Sequence, residues 1–122
     1  MRKRARSPRI RAPRTKETSL ERIFRLALEA AHVPFLQNYT DFHVAQPDFY
    51  LPQYRTVVEI DGAYWHAKPK QIKRDHQKDA FYRSLGLKVY RFTEAYVKTK
   101  ANWLVHMLLM TEDAEYRGRH AG

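Results

Sequence analysis

The chain has 122 residues, of which 43% are apolar, and a formal net charge of +10. This length suits one domain with one core. The chain has no cysteine, which excludes disulfides and cysteine-ligated zinc and weakly favours a reducing compartment. No apolar run approaches the roughly 18 residues of a membrane span, and no signal-peptide pattern opens the sequence. We therefore expect no membrane association.

The positive charge is concentrated at the N-terminus. Residues 1–16 hold eight of the 23 Lys and Arg residues and no acid, so the remainder carries 15 basic residues against 13 acidic ones. We call residues 1–17 the basic arm and predict that it is disordered when free. Its natural partner is a polyanion such as nucleic acid, although a solubilising tail or a targeting signal is the alternative. The arm residues predicted to contact DNA are Arg2, Lys3, Arg4, Arg6, Arg9, Arg11 and Arg14.

The first half of the body predicts one helix and three strands. A helix opens at Thr18 and ends before Pro34. A ragged strand follows over 35–44, then a short strand over 48–51, a turn over 52–55 and a β-branched strand over 56–60. The apolar face predicted for the helix comprises Leu20, Ile23, Phe24, Ala27, Leu28 and Ala31.

The second half predicts a helix over 70–85, a strand over 87–92 and a final helix from Thr99 to Met110. Gly86 stands where a helix end favours a left-handed residue. The order α-β-β-β-α-β-α predicts an α/β fold, a mixed sheet flanked by helices, with a domain over 18–112 and a polar, frayed tail over 113–122. The apolar positions predicted to pack are Ile72, Ala80, Phe81 and Leu85 in the first of these helices, and Trp103, Leu104, Met107 and Leu108 in the second.

Three carboxylates are predicted to meet at the end of the β-branched strand. Side chains alternate along a strand, so Glu59 and Asp61 point to the same face. Antiparallel pairing across the 52–55 turn would bring Asp48 beside them. Three neighbouring acids repel one another unless a cation joins them, and oxygen ligands favour Mg²⁺, or Mn²⁺ in its place. A site of this kind in a basic protein indicates chemistry on phosphate.

Two further residues are candidates for this site. His66 follows Asp61 by five residues and could exchange a proton with water or a leaving oxygen; its structural alternative is to cap a turn or stack on Trp65. Glu21 completes a capping box with Thr18, and could also reach the metal through water.

Longer stretches of the sequence resemble the Vsr-type (very-short-patch repair) endonucleases and the EDxHD homing endonucleases. Both are branches of the PD-(D/E)xK nuclease superfamily, which has a restriction-endonuclease-like core. The resemblance covers roughly residues 18–97. It is carried by TSLER at 18–22, PD at 47–48, VVEIDGAYWH at 57–66, RD at 74–75, DA at 79–80 and LGLKVYRF at 85–92.

The resemblance implies a role for several residues. Asp48 matches the central metal-binding aspartate, and Ile60 lies where Vsr-type enzymes offer a backbone carbonyl to the metal. Tyr64 and Trp65 match aromatic residues that wedge into DNA. The remaining matches are His66 as the proton-transfer residue, Glu21 as the glutamate of the first helix and Asp75 as the last aspartate of the EDxHD set; Lys68, Lys70 and Arg74 are further predicted DNA contacts.

The sequence departs from these families at two points. Asp61 stands where the superfamily usually has lysine and Vsr-type enzymes have histidine, and the cysteine-containing zinc site of Vsr-type enzymes cannot form. The resemblance implies a metal-dependent DNA endonuclease in the cytoplasm of a bacterial or phage-infected cell. The alternatives are a non-catalytic DNA-binding subunit and a structure-selective nuclease for branched DNA, which would need a homodimer to make paired cuts. Specificity could come from the arm, the aromatic wedge, the structure of the DNA or an accessory protein.

Overall fold

The computed structural model of the chain describes residues 17–40, 42, 46–61 and 68–120. The arm residues 1–16 lie outside them, so the predicted disorder of that segment stays a prediction. The element order confirms the predicted α-β-β-β-α-β-α arrangement. The elements are α1 (Ser19–Ala30), β1 (Leu36–Gln37), β2 (Phe49–Leu51), a short 3-10 turn (Pro52–Tyr54), β3 (Thr56–Asp61), α2 (Pro69–Ser84), β4 (Lys88–Thr93) and α3 (Glu94–His120).

The four strands form one mixed sheet in the order β1-β2-β3-β4. The first three strands pair antiparallel as a meander, with Phe49 opposite Val58. Strand β4 arrives through α2 and pairs parallel to β3, with Glu59 opposite Arg91. The carboxyl ends of β3 and β4 therefore lie at one edge of the sheet, where β2 begins.

Helices cover both faces of the sheet. Helices α1 and α3 pack on one face in the larger core, where Phe24, Leu28, Phe49 and Val58 are fully buried. Helix α2 packs on the other face in a smaller cluster centred on Val57, Tyr82 and Leu87. The alternation of Val57 and Val58 between the two clusters follows from the period of a β-strand. It also places Glu59 and Asp61 on the α2 side.

The ends of α1 follow from local chemistry. Thr18 and Glu21 form the predicted capping box, in which each backbone N–H donates to the other side chain at 3.0 and 3.1 Å. The helix ends at Ala30, earlier than Pro34 requires, because His32 adopts a left-handed φ of 58°. Ala31, predicted on the apolar face, is exposed at this turn.

The strand predicted over 35–44 is wrong in length. Of the described residues in this stretch, only Leu36–Gln37 pairs with β2. Asn38 follows with a φ of 54°, and a left-handed residue cannot continue an extended ladder. Residues 41, 43 and 44 of the predicted strand lie outside the described part of the chain.

The apolar face predicted for α2 is also wrong. Tyr82 is its one fully buried side chain, whereas Ala80 and Leu85 are exposed and Ile72 and Phe81 are only half-buried. The reason is that the face turned toward the sheet is largely polar, because it meets charged side chains of β3 and β4.

Helix α3 is longer than predicted and presents a different face to the core. Leu104 and Leu108 are buried as predicted, but Trp103 is 52% exposed and Met107 is 40% exposed. Val97, Ala101 and Val105 are buried together with these two leucines, so the side of α3 that faces the core excludes Trp103 and Met107. Apolar residues occur on both sides of this helix, so their spacing alone could not select the buried side.

The end of α3 extends through the segment predicted as a frayed polar tail. The helix reaches His120, with non-helical backbone angles at Lys100. Glu112 is almost fully buried and accepts hydrogen bonds from Lys88 Nζ at 3.2 Å and the Tyr90 hydroxyl at 2.6 Å, and Lys88 also pairs with Glu115. These contacts fasten the second half of α3 to β4. None of the helices described is long and apolar enough to cross a membrane.

Candidate active site

The site begins where β2 and β3 pair at the end of the two strands opposite the turn at 52–55. Since Phe49 pairs with Val58, the same register brings Asp48 across from Glu59. The Ile60 backbone N–H donates to Asp48 Oδ2 at 2.7 Å, while the Asp48 carbonyl accepts from the Asn38 N–H at 3.1 Å. Asp48 is therefore fixed from both sides. The predicted approach of Asp48 to the end of β3 is confirmed.

Glu59 is the most strongly perturbed carboxyl group of the site. It is 6% exposed, and the Tyr82 hydroxyl donates to its Oε2 at 3.3 Å. Burial, followed by the neighbouring charge of Asp48, raises the pKa of Glu59 to about 7, and the positive charges of Lys78 and Arg91 oppose this rise. Two acids that repel in this way favour a proton or a cation between them.

Asp61 is drawn to a different partner. Arg91 of β4 donates from Nη1 to Asp61 Oδ1 at 3.1 Å and from Nη2 to Asp79 Oδ1 at 2.6 Å. Burial acts to lower the pKa of Arg91, but its hydrogen bond to Asp79 and the charges of Asp61 and Asp79 outweigh burial and raise it. This guanidinium bridges the end of β3 to the middle of α2 and holds Asp61 in an ion pair.

Helix α2 contributes a polar face to the same edge of the sheet. Asp75, Lys78, Asp79 and Tyr82 follow one another at helical spacing, so they share one side of the helix. Lys78 Nζ lies 3.9 Å from Asp75 Oδ1. An open cavity of about 270 Å³ is lined by Asp61, Asp75, His76, Asp79 and Arg91, together with Ile72 and Thr93. The cavity connects the acids of α2 with the end of β3.

Two carboxylate side chains of the site, rather than a larger cluster, are the candidates to hold a hard cation. Within the described residues, no three His, Cys, Asp or Glu side chains form a group that could hold a metal ion. The predicted cluster of Asp48, Glu59 and Asp61 is thus reduced to the first two. Asp48 and Glu59 supply carboxylate oxygens and repel each other, which suits Mg²⁺. Residues 62–67, which follow directly after β3, lie outside the described residues.

The other predicted residues are placed as follows. Glu21 is buried and acts as the cap of α1. Asp75 faces the cavity and pairs with Lys78. His66, Tyr64 and Trp65 lie outside the described residues, so their predicted roles stay predictions. The predicted DNA contacts Lys68, Lys70 and Arg74 are exposed at the start of α2.

Sequence reasoning missed four members of the site: Lys78, Asp79, Tyr82 and Arg91. Three of them belong to a helix whose inner face is polar, so apolar periodicity gave no signal. The available signal was the spacing of Asp75, Lys78, Asp79 and Tyr82, which places them on one helix face. Parallel pairing of β3 and β4 would then have brought Arg91 opposite Glu59.

A mixed four-stranded sheet with helices on both faces and carboxylates at the end of a central strand defines a nuclease-like α/β fold. Its structure matches the catalytic domain of the homing endonuclease I-Bth0305I with a TM-score of 0.60 and 22% identity, over 79% of this chain and 98% of that chain. The sequence model of the family described as DNA mismatch endonuclease Vsr matches residues 1–71. The chain therefore belongs to the Vsr family of DNA endonucleases. No curated protein sequence matches this chain.

Proposed function

We propose that the chain is a Mg²⁺-dependent DNA endonuclease that hydrolyses a phosphodiester beside the end of β3. The observation that carries the proposal is the pair of Asp48 and Glu59, two adjacent carboxylates, one of them buried, in a chain of the Vsr family. Asp48 and Glu59 would hold the ion. When bound, a hard divalent cation supplies positive charge that polarises a phosphodiester and favours deprotonation of an attacking water.

Residues of the chain orient the two carboxylates, set the protonation of Glu59 and supply a group for proton transfer. The Ile60 N–H orients the Asp48 carboxylate, and the Tyr82 hydroxyl orients Glu59. Glu59 must lose its proton to act as a ligand, because the raised pKa leaves it partly protonated near neutral pH. His66 is the proposed group for proton transfer to or from the reacting oxygens.

The proposal is tested by DNA cleavage with Asp48→Asn. This substitution keeps the size of the side chain and an oxygen that can accept from the Ile60 N–H, but it removes the charge. Supercoiled plasmid, linear duplex and branched DNA are incubated with wild-type protein in Mg²⁺ or in EDTA. We expect cleavage only with Mg²⁺, and a loss of at least roughly 100-fold in rate for the variant, as for removal of a principal electrostatic group.

The matched control is Asp113→Asn, the same chemical change on α3. Asp113 contacts Tyr54, which lies in the turn at the end of β2 and β3 opposite the site. This variant should cleave at the wild-type rate. A cleavage rate for Asp48→Asn equal to that of the control would show that Asp48 has no catalytic role. DNA binding by the wild type without cleavage of any of the three substrates would favour the non-catalytic alternative, and cleavage confined to branched DNA would favour a structure-selective nuclease.

A further inference from the structure

Among the described residues, the positive charges of Lys78 and Arg91 both act to lower the pKa of the buried Glu59. The two side chains differ in how firmly their partners hold them. Arg91 donates to two carboxylates, at 3.1 and 2.6 Å, and its side chain is 20% exposed. Lys78 lies 3.9 Å from the single carboxylate of Asp75, and its side chain is 32% exposed. A separation of 3.9 Å is an ion pair without a close hydrogen bond.

The position of Lys78 is set by its neighbours on α2. Asp75 and Tyr82 lie one turn before and one turn after it on the same side of the helix. Asp75 faces the cavity, while the Tyr82 hydroxyl reaches Glu59. The ammonium group thus lies 3.9 Å from Asp75, which lines the cavity, and its charge also acts on the buried Glu59.

The site holds more negative than available positive charge, so an entering phosphate requires a cationic side chain that is free to turn toward it. A phosphodiester that approaches Asp48 and Glu59 meets negative charge, and Asp61, Asp75 and Asp79 add to it nearby. The positive charge of Arg91 is already shared by two of these acids. A flexible lysine with a weakly held ammonium group can turn to an incoming anion without breaking a strong ion pair.

We propose that Lys78 is a catalytic residue that contacts the scissile phosphate. The inference rests on the proposed endonuclease function and extends it to a group on α2. Lys78 donates a hydrogen bond from its ammonium group to a non-bridging phosphate oxygen, and this bond strengthens as negative charge builds there during attack by water. In that reaction the water oxygen bonds to phosphorus and gives up one proton, the ester P–O bond breaks, and the departing oxygen takes up one proton, so the protons balance and Lys78 keeps its own.

The alternative role for Lys78 is a simple partner of Asp75 on a helix surface. A pair of this kind contributes up to about 1 kcal/mol to stability and nothing to the rate of cleavage. The two roles therefore differ in kinetics rather than in structure.

The kinetic test compares Lys78→Met, Lys78→Arg and the control Lys73→Met, which removes an exposed lysine from the same helix. Single-turnover cleavage is measured at saturating protein, together with the Kd for DNA in EDTA and the Tm. We expect Lys78→Met to lower the rate constant roughly 100-fold, with a Kd and Tm close to wild type. Lys78→Arg should recover part of the rate, and Lys73→Met should match wild type.

A rate for Lys78→Met within about twofold of Lys73→Met would overturn the inference while leaving wild-type cleavage, and the proposed function, in place. Equal losses in Lys78→Met and Lys78→Arg that accompany a lower Tm would also overturn it, since they indicate a structural role.

A second measurement does not depend on cleavage. The wild-type protein is acetylated with acetic anhydride, with and without a duplex oligonucleotide in EDTA, and modification of each lysine is read by mass spectrometry. We expect DNA to protect Lys78 more strongly than Lys73. Should the wild type cleave no DNA, the proposed function fails on its own, and this footprint decides whether Lys78 meets the phosphate. Equal protection of the two lysines overturns the inference.

Discussion

At the scale of single residues, Glu59 shows how burial and a neighbouring charge define the site. Its carboxyl group is enclosed beneath α2 with Asp48 on the same side of the sheet, and the donor that meets it is the Tyr82 hydroxyl. A carboxylate in such surroundings holds its proton at a pH where an exposed glutamate has lost it. The same environment therefore favours a cation beside Glu59, and it makes the ionised form of Glu59 destabilising when no cation is present.

The stability of the metal-free protein should consequently depend on pH through Glu59. Its pKa rises from 4.5 to about 7 on folding, so the folded state binds more protons than the unfolded state between these values. Stability from this group is complete below about pH 4.5 and is lost as the pH rises through about 7. The loss amounts to about 3 kcal/mol, and Glu59→Gln should abolish it.

The measurement is urea denaturation in EDTA at pH 5 and pH 8. Relative to wild type, Glu59→Gln should gain stability at the higher pH. The control Glu29→Gln removes a carboxyl group from the outer side of α1, where it pairs with Arg25, and reports the general effect of losing one negative charge. A difference between wild type and Glu59→Gln that stays constant from pH 5 to pH 8 would contradict the assignment.

Residues on strands were the most predictable part of the site. The alternation of β3 and the turn at 52–55 were enough to bring Asp48 to Glu59, because both depend on local geometry. The ion pair of Asp61 was not predictable in the same way. It depends on Arg91, which is 30 residues distant along the chain, and on the parallel register of β4.

At the scale of elements, the corner between α2 and β4 is fixed by a glycine. Gly86 has a φ of +79°, and a Cβ placed there would lie 3.1 Å from Arg55 Nη2. Arg55 donates from that nitrogen to the Leu85 carbonyl at 2.8 Å, and its own carbonyl accepts from the Lys88 N–H. The corner thus joins the start of β4 to the turn that precedes β3, which sets the register of the two central strands.

Gly86→Ala should destabilise the protein by about 1 kcal/mol, because an L-residue is strained at a positive φ. The matched control is Gly118→Ala. Gly118 lies within α3, and a Cβ there would meet nothing within 4 Å. Alanine should therefore stabilise that helix by about 0.5 kcal/mol. Urea denaturation of the two variants should give changes of opposite sign, and changes of equal sign would show that Gly86 is not constrained by its φ.

The two long helices explain where element prediction failed. In α2 the inner face carries Lys78 and Asp79 in place of a continuous apolar stripe, since it covers a charged site. In α3 the exposed Trp103 and Met107 compete with the buried Leu104 and Leu108, and only packing against α1 selects between them. Apolar periodicity predicts a buried face well when a helix has a single apolar side, as α1 does.

At the scale of the whole molecule, charge is divided between a basic arm and a body that is nearly neutral. Within the body, acids collect at the end of the central strands, at the proposed site of hydrolysis. This division separates two tasks, since a site rich in carboxylates contributes little attraction to a polyanion. General affinity for DNA must then come from elsewhere in the chain, and the arm holds eight positive charges.

Deleting residues 1–16 should therefore weaken DNA binding and reduce its dependence on salt. Each phosphate that a basic residue neutralises contributes about −0.9 to the slope of log K against log salt. Loss of eight basic residues can reduce that slope by up to about 7. The measurement is fluorescence anisotropy with a labelled duplex over a series of NaCl concentrations.

The control exchanges all eight basic residues of the arm for glutamine without deleting the arm, which removes the charge and retains the length. If the arm acts through charge, both variants should show the same shallow slope, with unchanged single-turnover cleavage once DNA is saturated. An unchanged slope in either variant would mean that the phosphate contacts lie on the body instead.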